Sequence, residues 1–383
     1  MSAPGLDLAA LAGYLAAARP DLGQQPISAT LLPGGRSNLT YALTLGDRRL
    51  VLRRPPLGHV QASAHDVARE YRVITALGST DVPVPATELF CADPAVLGAP
   101  FYLMELVPGV AYRSRDELVG LGPEALRRLA FDLVDTLVTL HAVDPAAVGL
   151  ADLGKVAGFN TRQHRRWNRQ LDGVRSRNLP DVDELADRLA AGIPENGDGA
   201  LVHGDYRLDN VLVGRYEPVD PGNPVDPGNL VHPGNLVDRR ENSGVFDGRT
   251  ARITAVLDWE MSTLGDPLSD LALLLLYAEQ PLLTGAAKLP AAAALTSIPG
   301  YPGAPDIIDR YAQRSGRDVS ELRWYRAFAA FKLAVVLEGV HYRFQHGATL
   351  GPGFEDIADL VQPLIARGLQ QLENDADEES GVW

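Results

Sequence analysis

Leu201-Val202-His203-Gly204-Asp205-Tyr206-Arg207-Leu208-Asp209-Asn210-Val211-Leu212-Val213 is the stretch whose reading decides the fold. Apolar residues at Leu201–Val202 and Val211–Val213 read as strand ends on either side of a short polar loop. The loop carries His203, Asp205 and, five residues after Asp205, Asn210. In phosphoryl-transfer sites with the spacing H-x-D-x-x-x-x-N, the Asp takes the proton of a reacting hydroxyl and the Asn amide oxygen holds Mg²⁺. Polar turns also favour Asp, Asn and Gly, so the loop needs a second, independent mark.

That mark lies downstream. Arg252-Ile253-Thr254-Ala255-Val256-Leu257 is strand-like and runs directly into Asp258-Trp259-Glu260. A carboxylate at the exit of a buried strand, after an Asp/Asn loop, suits the main Mg²⁺ ligand of a nucleotide's phosphates. Mg²⁺ takes few protein oxygens and keeps several waters, so Asp258 and Asn210 suffice beside phosphates.

Taken together, His203-Gly204-Asp205-Tyr206-Arg207-Leu208-Asp209-Asn210, Leu257-Asp258-Trp259-Glu260 and Gly265-Asp266-Pro267 resemble the aminoglycoside phosphotransferase and choline-kinase-like family. Within it, the resemblance is to the branch that includes kinase-like domains fused to some acyl-CoA dehydrogenases. It implies an α+β, two-lobed, protein-kinase-like fold. A small antiparallel-sheet lobe with a helix at 6–19 would span residues 1–106, and a mainly helical lobe residues 107–383. It implies ATP and Mg²⁺ as cofactors and a small-molecule hydroxyl as acceptor, with Asp205 as the catalytic base and Asn210 and Asp258 on the metal. Asp266 and Asp270 would support the catalytic loop.

Composition is compatible with this reading. The 383 residues are 46% apolar and 22% charged, an ordinary globular balance, and the net charge of −14 argues against a sequence-independent nucleic-acid binder. Cys91 is the only cysteine, which rules out an intrachain disulfide and fits a reducing compartment. The start of the chain lacks a basic segment, and the longest apolar run, Leu268 to Ala278, contains Ser269 and Asp270 and is too short to span a bilayer. The expectation is a cytoplasmic protein without a membrane partner; the sequence sets no oligomeric state.

In the small lobe, strands are expected at Ile27–Leu32, Leu39–Leu45 and Leu50–Arg53. Between the first two lies Pro33-Gly34-Gly35-Arg36-Ser37-Asn38, a Gly-rich turn whose amides can approach phosphate. By its place in a kinase-like order it is the nucleotide loop, with Ser37 and Asn38 as phosphate contacts. Arg53 stands where the resembling kinases carry the lysine of V-A-I-K. It keeps the charge and offers a planar fork, but it is bulkier. Residues 62–77 read as a helix with Val67, Tyr71, Ile74 and Leu77 on one stripe and Glu70 within it. An inward carboxylate needs a cation, and Arg53 is the expected partner; the alternative puts Glu70 at the stripe's wet margin. Met104-Glu105-Leu106-Val107-Pro108-Gly109 resembles the inter-lobe hinge, placing Glu105 at the adenine.

Beyond the hinge, Pro123 opens a helix with apolar residues at three- and four-residue spacing up to His141. Residues 160–178 hold Arg162, Arg165, Arg166, Arg169, Arg175 and Arg177 against one acid, Asp172. This is either a solvated helix face or an anion-recognition wall. The second reading makes Arg162, Arg165 and Arg169 substrate ligands and the acceptor an anionic hydroxy acid or hydroxyacyl-CoA. The alternatives are a true aminoglycoside O-phosphotransferase, whose polycationic acceptor would want carboxylates near Asp205, and a nucleotide-binding pseudokinase, which Arg53 leaves open. A protein kinase is disfavoured because no D-F-G or A-P-E segment follows Asp258. Asp318 and Glu321 have capping-box spacing for a long helix through Phe344.

Residues 219–236 repeat Val-Asp-Pro-Gly-Asn-Pro, Val-Asp-Pro-Gly-Asn-Leu and Val-His-Pro-Gly-Asn-Leu. Three Pro/Gly-rich hexapeptides are too few for a packed solenoid, so a loop insertion is expected at about 214–250, between two strands that a short hairpin turn could join. Deleting Val219 to Leu236 is expected to leave the thermal midpoint and phosphotransfer rate close to wild type, because shortening a surface loop changes closure entropy only slightly. A scanning melt and a turnover assay on the deletion variant check this.

Overall fold

The computed structural model describes residues 5–32, 38–56, 66–113, 115–195, 197–215, 251–279, 295–347 and 354–373. The Gly-rich turn up to Ser37 and the hexapeptide repeat lie outside the described residues. In chain order the elements are α1 (Leu8–Ala18), α2 (Pro20–Gly23), β1 (Ile27–Leu31), β2 (Leu39–Leu45), β3 (Arg48–Arg54), α3 (Val67–Leu77), β4 (Thr87–Cys91), α4 (Pro94–Leu97) and β5 (Phe101–Glu105). Next come α5 (Arg115–Val119), α6 (Pro123–His141), α7 (Phe159–Val174), α8 (Val182–Ala191), β6 (Ala200–Val202), β7 (Val211–Arg215), β8 (Ala251–Val256) and β9 (Thr263–Gly265). The last helices are α9 (Leu268–Glu279), α10 (Ala304–Ser315), α11 (Leu322–Gln345) and α12 (Val361–Glu373).

Two compact units result, one from residues 1–111 with 210–262, the other from 112–209 with 263–383. The first therefore includes β7 and β8 as well as the N-terminal elements, whereas a division at 106/107 follows chain order alone.

In the first unit, β1–β5 form an antiparallel sheet in the order β1-β2-β3-β5-β4. Side chains alternate along β3. Leu50 and Leu52 join Leu11, Leu15, Tyr41, Leu43 and Leu103 in the core beneath α1, and alternation puts Arg54 on that side and Arg53 on the other. Arg54 is fully buried. Its guanidinium donates to the carbonyls of Leu97 (2.8 Å), Gly5 (3.2 Å) and Pro55 (3.2 Å), stitching the segment before α1 and the end of α4 to the sheet. The second ladder pairs β7 with β8, Val211 opposite Val256, and Val110 bridges back to Val213.

The second unit is helical apart from β6 and β9, paired from Ala200↔Gly265 to Val202↔Thr263. Helix α9 is buried on almost every side, as its nearly unbroken apolar sequence requires. Helix α11 carries Trp324, Tyr325, Phe328 and Phe331 into the core, with Trp324 and Phe328 stacked at 4.9 Å. Gly265 has to be glycine, since a Cβ there would lie 2.6 Å from the Phe159 ring. The expected capping box does not form. Asp318 instead folds back on Ser320, accepting from its N–H and hydroxyl at 2.9 Å each, and α11 starts at Leu322 without a side-chain cap. A local Asx turn has outcompeted the cap. No helix among the described residues is long and apolar enough to cross a membrane.

Replacing Arg54 by leucine leaves buried carbonyls without donors, at about 1–3 kcal/mol for an unsatisfied group. The variant is expected to unfold at clearly lower denaturant concentration than wild type, read by an equilibrium urea titration.

Candidate active site

In the second unit, β6 delivers the chain into the loop at His203, and a single buried carboxylate fixes the path of the next residues. Asp270, in the first turn of α9, accepts the backbone N–H of His203 at 2.6 Å and of Gly204 at 2.8 Å. The His141 ring, at the end of α6, meets the same carboxylate at 3.3 Å and Tyr311 on its other nitrogen at 2.8 Å. Burial pushes the Asp270 carboxyl up, but the hydrogen bonds from His141 and Gly204 outweigh it and hold the group below the usual carboxylate range. Burial lowers the His141 pKa and keeps the ring neutral.

The peptide joining Gly204 to Asp205 is fixed at both ends. Its carbonyl accepts from the Lys332 ammonium at 2.9 Å, and its N–H donates to His203 Nδ1 at 3.3 Å. Gly204 has φ +84°, a conformation suited to glycine. His203 is fully buried, so it shapes the loop through Nδ1 while Asp205 stays partly exposed. Tyr277 of α9 donates to Asp205 Oδ1 at 3.4 Å, and Arg207, 3.5 Å from Asp205 Oδ2, lies over the Tyr277 ring at 4.8 Å. Tyr206 points the opposite way, donating to the Leu133 carbonyl at 2.9 Å.

In the first unit, Arg53 stands between two carboxylates. Its Nε is 2.9 Å from Glu70 Oε2, an ion pair without the alignment of a hydrogen bond, and its other arm meets Asp258. Glu70 is buried and accepts the Trp259 N–H at 3.2 Å. Burial raises the Glu70 pKa, with Arg53 acting against it. Burial likewise works against the Arg53 charge, but Glu70 and Asp258 more than hold it. The pairing that the Glu70 stripe position suggested is therefore present, with an arginine in the cationic role.

Asn210 and Asp258 come together by strand register. Val211 faces Val256, and the Leu257 N–H donates to the Asn210 carbonyl at 2.8 Å, so Asn210 and Asp258 sit at one end of the β7–β8 ladder. Asp258 is one of two non-glycine residues with positive φ among those described, at φ 67° and ψ 59°. Asn38 is buried and donates to Glu260 Oε2 at 3.3 Å, while its own Oδ1 has no hydrogen-bond partner. The amide oxygen of Asn210 and the carboxylate of Asp258, two hard oxygen donors from one ladder end, are a donor set that fits Mg²⁺ bound mainly by phosphates and water. Glu105 ends β5 with its side chain exposed; its N–H donates to the Ala86 carbonyl at 2.8 Å.

The six arginines of 160–178 do not act as one wall. Arg162 reaches back to the carbonyls of Lys155 and Ala157 and closes the loop before α7. Arg175 and Arg177 lie beyond that helix, Arg175 paired with Asp183 at 2.7 Å and Arg177 with the buried Glu338 at 2.9 Å. Arg165, Arg166 and Arg169 remain exposed on α7. Lys332 and Tyr277 are the site neighbours that sequence reasoning missed. Lys332 had one legible sign, a single cation inside Ala327-Phe328-Ala329-Ala330-Phe331-Lys332-Leu333-Ala334-Val335-Val336.

The profile of the phosphotransferase enzyme family matches residues 28–222 and 232–325. The chain belongs to this family. The match omits residues 223–231, within the hexapeptide repeat. Among relatives, acyl-CoA dehydrogenase family member 11 of Gallus gallus is 32% identical over 370 residues, covering 95% of this chain and 43% of that protein. Family member 10 of Mus musculus is 32% identical over 314 residues, covering 81% of this chain and 26% of that one. The chain thus spans less than half the length of these relatives. A Ralstonia eutropha JMP134 protein provisionally named an aminoglycoside phosphotransferase superposes with a TM-score of 0.71 at 29% identity, covering 96% of this chain and 99% of that one. The aminoglycoside phosphotransferase APH(4)-Ia, solved with AMP-PNP and hygromycin B, has a TM-score of 0.55 at 16% identity, covering 94% and 98%, and shares the fold. The fold is α+β and protein-kinase-like, and the chain is a phosphotransferase enzyme.

Asp270→Asn replaces one of the two acceptor oxygens by an NH2 donor, leaving one loop amide without its acceptor, and is expected to destabilise the fold by about 1–3 kcal/mol at neutral pH. The folded pKa of Asp270 is depressed, so its contribution is present above the unfolded value of about 3.9 and lost as pH falls through the folded value. The stability gap between wild type and variant should therefore narrow in denaturant titrations run at pH 3 rather than pH 7.

Proposed function

We propose that this chain transfers the γ-phosphoryl group of ATP, with Mg²⁺, to the hydroxyl of a small anionic molecule. The observation that carries the reading is the Gly204–Asp205 peptide, held at its carbonyl by Lys332 and at its N–H by His203, which aims a partly exposed carboxylate from a rigid loop. Asp205 accepts the acceptor's hydroxyl proton as that oxygen bonds to the γ-phosphorus and the bridge to ADP breaks. Tyr277 restrains the carboxylate that takes this proton. Arg53, itself held by Glu70, draws on the phosphates with a planar fork instead of a point charge. The backbone N–H groups of Ser37, which lies outside the described residues, and of Asn38 would be further phosphate contacts. Asn210 and Asp258 would hold Mg²⁺, which supplies charge neutralisation on the phosphoryl oxygens.

The anionic acceptor is supported by the charges left open on the second unit. Arg165 and Arg169, one helical turn apart, are exposed and make no ion pair among the described residues, an arrangement that favours a hydroxy acid or its CoA ester over a polycation. The relatives named as dehydrogenases carry this region within much longer chains, and a CoA-bound hydroxy acid is a substrate such a fusion could share. A pseudokinase is disfavoured because Asp205, Asn210 and Asp258 are all present.

Asp205→Asn is expected to fold and to bind Mg-ATP as wild type does, yet to lose about 10²–10⁴-fold in turnover, the range for a positioned acid–base group. Transfer of ³²P from labelled ATP to hydroxy acids and their CoA esters measures it. Wild-type turnover by the variant would remove Asp205 as the base, and efficient phosphorylation of kanamycin by the wild type would remove the anionic acceptor.

A further inference from the structure

Lys332 is the one lysine in the apolar middle of α11. Its ammonium has three N–H donors, and among the described residues it makes a single hydrogen bond, to the Gly204 carbonyl. No carboxylate among those residues comes within ion-pair distance; beside it lies the face of Trp167, 5.6 Å from the ring centroid. A largely buried cation with one neutral acceptor is under-satisfied, and burial pushes its pKa down, with Asp205 and Asp270 acting the other way. Holding one loop carbonyl does not need a charge, since an amide N–H would do it.

A second cation shares the same ring. The Arg166 guanidinium lies 5.6 Å from the Trp167 centroid, is exposed, and has no acidic partner among the described residues. Both charges are thus within 5.6 Å of one indole, so at most twice that distance separates them. Trp167 itself is buried. Lys332 meets the carbonyl of the very peptide that leads into Asp205. An oxyanion resting there would satisfy the open ammonium donors and the free fork of Arg166 at once.

We propose that Lys332 and Arg166, set about Trp167 and one peptide from Asp205, form the subsite for a carboxylate carried by the acceptor. The substrate is then a short hydroxy acid whose carboxylate meets the two cations while its hydroxyl meets Asp205. This assigns anion recognition to residues distinct from Arg162, Arg165 and Arg169, and it rests on the phosphotransferase reading above.

The test uses the full chain with 2-, 3- and 4-hydroxybutyrate, each matched to the butanediol that keeps the hydroxyl and lacks the carboxylate. Wild type should prefer at least one acid to its diol in kcat/KM. Lys332→Gln, which keeps a donor for the Gly204 carbonyl, and Arg166→Gln should each lower that acid-to-diol ratio by about tenfold or more, as for a lost charge-assisted hydrogen bond. Arg166→Lys should recover part of it. A ratio unchanged in both glutamine variants overturns the subsite and leaves phosphotransfer standing. Saturation-transfer NMR of the three acids without nucleotide separates the two readings. Binding by wild type that is lost in Lys332→Gln supports the subsite even if no phosphate moves, whereas absence of binding by wild type overturns it.

Discussion

One buried carboxylate sets the geometry of the loop that carries Asp205. Asp270 accepts two successive backbone N–H groups and a neutral histidine, all away from water. Backbone donors in a protein interior must find acceptors, and an ionised acceptor binds them about twice as strongly as a neutral one. The loop between β6 and β7 is therefore not free to choose its path. The same carboxylate couples α6, through His141, to the start of α9, so the positions of two core helices and of the segment leading into Asp205 are a single problem in packing.

The first unit solves a different electrostatic problem. Arg53 faces two carboxylates, and the three groups together carry one excess negative charge. That balance is poor for a closed structural ion pair and suitable for a site that receives a divalent cation along with polyphosphate. A guanidinium in this place meets the two acids with different nitrogens of one planar fork, whereas an ammonium would need both acids at a single nitrogen. Substituting arginine for the usual lysine is thus compatible with the local geometry, because Glu70 approaches Nε and Asp258 a terminal nitrogen.

Much of this was legible from residue order, and the limits have physical causes. Alternation along β2 and β3, the Val67–Leu77 stripe and the strand running into Asp258 are local signals, and all appear as elements in the structure. The partnership of Arg53 with Glu70 could be expected because an inward carboxylate has few ways to be satisfied. Arg162, Arg175 and Arg177 misled, because a local count of charge says nothing about distant acceptors. Arg162 is taken up by loop carbonyls, and Arg177 by Glu338, which lies 161 residues away in sequence. Lys332 escaped for the opposite reason: inside an apolar helix it reads as a lapse in the stripe until its contact with Gly204 is seen. Asp318 and Glu321 had the right spacing for a cap, but an Asx turn to Ser320 was closer to hand.

The left-handed backbone at Asp258 also shapes how this chain can drift. With φ 67° and ψ 59°, the position tolerates aspartate, asparagine and glycine far better than a β-branched or bulky side chain. The replacements that the backbone accepts most readily are therefore the ones that delete the carboxylate. Neutral drift at this codon has an open route to a folded descendant without the carboxylate, so the fold's own stability does little to keep the aspartate in place.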